Sequence, residues 1–93
     1  MVTETEKVTF KDESAILSKE CQLILWNDDV NTFDFVIESL IKVCNHSTEQ
    51  AEQCAYIVHY NGKCAIKNGS FLKLSPLKEA LLDLGLSVEI NRN

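Results

Sequence analysis

The apolar residues of this chain recur in two rhythms, and the switches between them mark its elements. "CQLILW", Cys21 to Trp26, is a short β-prone run bounded by turn residues, which predicts a buried strand. Phe33, Val36, Ile37, Leu40, Ile41 and Cys44 then fall at i, i+3, i+4, i+7, i+8 and i+11, one apolar face of a helix. Asn31 or Thr32 stands where a cap belongs, and Asp34 lies in the first turn, where the helix dipole favours an acid. Asn45 and His46 end this helix. "STEQ", Ser47 to Gln50, is a capping box, and Ala51, Cys54, Ala55 and Val58 follow with helical spacing until Asn61-Gly62 supplies a left-handed stop. "KCAIK" reads as a short strand and "NGS" as a turn. Ser75-Pro76 is expected to open a third helix, with Leu77, Ala80, Leu81 and Leu84 on its apolar face and Gly85 at its end. "LSVEI" alternates strictly, as a half-buried final strand does.

The order is therefore β-α-α-β-α-β. The expected fold class is α+β: a compact single domain whose three-stranded sheet carries three helices packed on one face, so that all stripes share one core. Residues 1–19 are rich in Glu, Lys, Thr and Ser and hold no period, so they are expected to form a flexible N-terminal extension before a core domain over residues 20–93.

Composition narrows the function classes. The chain has 93 residues, 45% of them hydrophobic, which suits one small domain with a real core. Its net charge is -5 and its nine basic residues are scattered, so a nucleic-acid partner is not expected. No stretch is apolar enough to span a membrane and no secretory signal is visible, so a membrane role is not expected. Cys21, Cys44, Cys54 and Cys64 sit in apolar segments with no C-x-x-C pair; free thiols in a reducing cytoplasm are expected. Asp28 and Asp29 lack the further acids of a calcium loop, "CNH" lacks the remaining ligands of a zinc site, and no phosphate-binding glycine loop occurs. No metal or cofactor is expected.

One constellation carries chemistry. Asn27, Asp28 and Asp29 leave the end of the first strand, and His59 lies in the last turn of the second helix beside Ala55 and Val58. If these elements pack, a carboxylate, an amide oxygen and a neutral imidazole nitrogen converge beside an apolar wall. An ammonium group has three donors and no acceptor, so this set fits a cationic amine carrying an apolar side chain, such as a free protein N-terminus. The same residues also read as a turn, a cap and a helix C-terminal histidine.

"LILWNDDVNTFDFVIESL" and "QAEQCAYIVHYNGKCA" closely resemble the two signature stretches of the ClpS adaptor family, from about Gln22 to Lys63 and more loosely to Ile90. The resemblance implies a non-enzymatic protease adaptor, acting as a cytoplasmic monomer. It implies binding of N-degron proteins with large hydrophobic N-terminal residues (Leu, Phe, Tyr or Trp), and delivery to the N-domain of a ClpA-type AAA+ unfoldase with ClpP downstream. It further implies that Asn27, Asp28 or Asp29, and His59 hold the substrate α-amino group. Asn31, Phe33, Val36, Ala55, Val58 and Leu86 match the lining of its hydrophobic pocket. A neutral His59 accepts the amine while a charged one repels it, so binding is expected to weaken as this histidine titrates. Phe33 stands where the family commonly has Met, Ala55 replaces what is often a larger side chain, and "SPLKEALLDLG" lacks the acidic helix start of the family. Two rival readings remain: an interaction module of related fold without N-degron delivery, and a small Cys/His hydrolase using His59.

Overall fold

A computed structural model describes residues 20–92; the expected flexible extension over residues 1–19 lies outside the described residues. The elements are β1 (Cys21–Trp26), α1 (Phe33–Cys44), α2 (Thr48–Asn61), β2 (Lys63–Gly69), α3 (Phe71–Asp83) and β3 (Ser87–Arg92). Both strand pairings are antiparallel and the sheet order is β2-β1-β3. The predicted α+β order is therefore the observed one.

β1 is central because it is the most apolar strand. Cys21, Leu23 and Leu25 are buried on the face covered by the helices, and Ile24 is buried as well. Val88 and Ile90 of β3 continue that face. Leu40 of α1, Ala51 and Val58 of α2, and Leu74 and Leu81 of α3 close the core over it. Capping follows the sequence closely. Thr32, not Asn31, caps α1, its hydroxyl accepting from Phe35 N at 3.1 Å. Ser47 and Gln50 form the reciprocal capping box of α2 at 3.1 Å in each direction. Gly62 ends α2 with φ +94°, a conformation that suits glycine because a Cβ would be strained there.

Two expectations need correction. The third helix does not open at Ser75-Pro76. It starts one turn earlier, at Phe71, because Ser70 is the cap: its hydroxyl accepts from Lys73 N at 3.1 Å. The added turn buries Leu74 completely, which extends the Leu77, Leu81 and Leu84 stripe backwards by one step. Pro76 thus lies inside the helix, where it removes the N–H that would bond the Leu72 carbonyl, and its exposed position limits the cost. In α1 the buried arc is rotated from the predicted stripe. Ile41 is exposed, whereas Phe35 and Val43 pack on the core and Ser39 is buried with its hydroxyl donating to Phe35 O at 2.8 Å.

The sheet has one irregularity that serves a side chain. The β1–β2 register steps from Leu23↔Lys67 to Ile24↔Ala65, so Ile66 bulges out of the pairing. Its carbonyl accepts a hydrogen bond from Nε2 of the buried His46 at 2.8 Å. The four cysteines are free thiols. Burial raises the Cys44 thiol above its ordinary range, against the opposing pull of the Lys67 charge. Burial, with the neighbouring Cys64 thiol, pushes Cys54 up to about 12. Among the described residues no helix is long and apolar enough to cross a membrane.

Candidate functional site

The cleft begins where β1 ends. Trp26 pairs with Lys63 of β2, so the residues just outside the pair, Asn27 and Gly62, face each other. Asn27 N–H donates to Gly62 O at 2.9 Å. That bond joins the loop after β1 to the C-terminus of α2, and His59 lies one helical turn before Gly62. Two stretches far apart in sequence are brought together by strand pairing and one backbone bond.

The loop itself is held by Asp28. Its carboxylate accepts from Val30 N and Asn31 N, each at 2.9 Å, and from Asn31 Nδ2 at 3.2 and 3.0 Å. The Asn31 amide also donates to Gly85 O at 3.0 Å, which anchors the loop to the turn before β3. Partial burial works to raise the Asp28 carboxyl, but the Asn31 and Val30 donors outweigh it and hold it below its ordinary range. Both oxygens of Asp28 are thus engaged within the loop. Asp29 is exposed, and no hydrogen bond among the described residues engages its carboxylate.

Asn27, Asp28, Asp29, Asn31, Phe33, Val36, Ala55, Val58 and His59 line one cleft of about 290 Å³. Val36, Ala55 and Val58 are its apolar wall, and Ala55 and Val58 are buried. Among the expected site residues only Leu86 is not part of the lining. It is 3% exposed and belongs to the core, because Gly85 turns the chain and sends the next side chain inward under the sheet. No cysteine lines the cleft, so the Cys/His pairing that a hydrolase would need is not assembled there.

Phe33 stands at the mouth as the first residue of α1. Its ring meets His59 edge-on at 5.6 Å and Tyr56 edge-on at 5.1 Å. Tyr56 and Tyr60 stack at 6.1 Å, and Tyr60 meets His59 at 4.7 Å. Both tyrosines lie off the apolar stripe of α2, so hydrophobic periodicity does not mark them. Their spacing, i and i+4, was the available signal.

Chemically, the cleft lining combines an apolar wall with groups able to accept hydrogen bonds: the Asn27 amide, the Asp29 carboxylate and the His59 ring. The sequence profile described as "ATP-dependent Clp protease adaptor protein ClpS" matches residues 17–89. The chain belongs to the ClpS family. A ClpS adapter protein of Campylobacter jejuni is 46% identical over 44 residues, which are 47% of this chain and 46% of the relative's length. A ClpS adapter protein of Treponema denticola is 35% identical over 63 residues, 68% of this chain and 62% of that protein. The chain thus spans about half to two thirds of the lengths of these ClpS relatives. The structure of Agrobacterium tumefaciens ClpS2 bound to L-phenylalaninamide superposes with a TM-score of 0.75 at 23% identity, covering 81% of this chain and 98% of the other, which establishes the shared ClpS fold.

Proposed function

We propose that the cleft captures the N-terminus of a protein substrate, holding the α-amino group at its edge and the first side chain against its wall. The observation that supports this reading is that Asn27, Asp29 and His59 line the same cleft as Val36, Ala55 and Val58. The three acceptors match the three donors of an ammonium. The volume, about 290 Å³, lies near the lower end of the ~300–1,000 Å³ of small-molecule sites, a size for one side chain rather than a folded segment. L-phenylalaninamide, the ligand of the Agrobacterium relative, carries both parts: a free α-amino group and a large apolar side chain.

The preferred first residues are large and hydrophobic: Leu, Phe, Tyr or Trp. Burying such a side chain contributes about 1.5–3 kcal/mol. The amine adds discrimination, since an acetylated or internal residue leaves the acceptors unpaired at about 1–3 kcal/mol. Asp28 serves the site indirectly, as the strut of the loop. The captured protein is then delivered to a ClpA-type AAA+ unfoldase for degradation by ClpP.

Peptides that differ only in their first residue test the capture step. Phe and Leu N-termini are expected to bind at least tenfold more tightly than Ala, and acetylation is expected to abolish binding. Equal binding of Phe, Leu and Ala peptides, or indifference to acetylation, would overturn the reading. Delivery has its own test: the chain should accelerate degradation of a Phe-initiated reporter by ClpA and ClpP, and not of the same reporter initiated by Ala.

A further inference from the structure

The tyrosines beside the cleft have no part in that reading as stated. Tyr56 is 55% exposed and Tyr60 74% exposed, yet their rings lie nearly parallel, 7° apart. They are also not an isolated helix-surface pair. Phe33 touches Tyr56, Tyr56 stacks on Tyr60, Tyr60 meets His59, and His59 meets Phe33, so the four rings close a circuit. Two members of the circuit line the cleft and two lie outside it. The result is an aromatic shelf continuous with the mouth.

A polypeptide whose first side chain enters the cleft leaves by that mouth. In an extended chain successive side chains alternate, so residues one and three point to the same side, about 6.6 Å apart. On the helix, Tyr56 and Tyr60 are four residues and about 6 Å apart along the axis. The Phe33 ring centroid lies 5.1 Å from that of Tyr56, so one step of the peptide's period spans from the gate at Phe33 to the shelf. Residue two points away.

Resting on the proposed capture of N-termini, the geometry points to Tyr56 and Tyr60 as the specificity surface for the third residue of the substrate, taking a planar side chain by stacking. Aromatic side chains and the arginine guanidinium are the groups that fit an exposed tyrosine face.

The test uses the full chain and three fluorescent peptides beginning Phe-Gly-Gly, Phe-Gly-Trp and Phe-Trp-Gly, titrated by anisotropy. Trp at position three should tighten binding roughly three- to tenfold over Gly, the size of one aromatic pair. The gain should vanish in Tyr56→Ala/Tyr60→Ala and return in Tyr56→Phe/Tyr60→Phe, which keeps the rings without the hydroxyls. Trp at position two should bring no tyrosine-dependent gain. A flat response to the third residue, or a gain that survives loss of both rings, overturns the shelf while leaving amine-dependent capture standing. Binding that ignores acetylation overturns both.

Discussion

Two histidines sit near the C-terminal ends of neighbouring helices in this protein, in opposite surroundings. His46, just past α1, is buried, and its Nε2 bonds the carbonyl that the Ile66 bulge sets free, while its Nδ1 is buried with no partner among the described residues. His59, in the last turn of α2, is exposed at the cleft mouth, and rings rather than hydrogen bonds fix its position. One imidazole is bonded to the scaffold through Nε2; the other makes no hydrogen bond among the described residues and stays open to solvent at the cleft. The two aspartates divide in the same way. Asp28 is consumed by the loop, and Asp29 is left facing out. Residue type does not separate the members of either pair. The number of partners each has inside the fold does.

Substitutions can separate the two histidines. His46→Ala leaves the Ile66 carbonyl unsatisfied and opens a cavity, so it should lower the unfolding free energy by about 2–4 kcal/mol in urea titration. The folded fraction should still bind a Phe-initiated peptide normally. His59→Ala should do the reverse. Loss of a hydrogen bond to a charged amine, about 1.5–3 kcal/mol, weakens peptide binding roughly 10- to 100-fold with the urea midpoint unmoved. If both variants lose stability and affinity together, the contrast collapses.

The aspartates give a smaller and finer test. Asp28→Ala strips the acceptor from Val30 N and Asn31 N, and should cost about 1–2 kcal/mol of stability along with part of the affinity. Asp29→Ala should weaken binding about tenfold and leave stability within about 0.5 kcal/mol. Normal binding by Asp29→Ala would transfer the amine contact to Asp28. The pH dependence discriminates further. The folded Asp28 carboxyl titrates below its ordinary value of 3.8, so its contribution to stability is present above that pH and disappears as acid reaches the folded value. Asp28→Asn should therefore flatten the stability profile below about pH 4.

Much of this was legible in the sequence because local and tertiary signals agree. The Cys21–Trp26 run, the "STEQ" box and the Asn61-Gly62 stop each fix a boundary through backbone chemistry that needs no distant partner. The cleft residues were legible as a group for a different reason: two family motifs named both of its banks. What escaped reading depends on the whole fold. Pro76 looks like a helix start, and the burial of Leu74 together with the Ser70 cap favours the extra turn from Phe71. The inward turn of Leu86 follows from Gly85, and the place of the tyrosines follows from how α2 lies against Phe33.

The bond from Asn27 N–H to Gly62 O, a single 2.9 Å contact, has a consequence in time. It closes a span of more than thirty residues and extends the β1–β2 ladder by one rung, so it forms only when that long-range pairing does. No local segment carries the cleft on its own: its lining residues come from both ends of that span. In a nascent or partly unfolded chain the cleft is therefore not assembled, and it arises only once β1 has paired with β2.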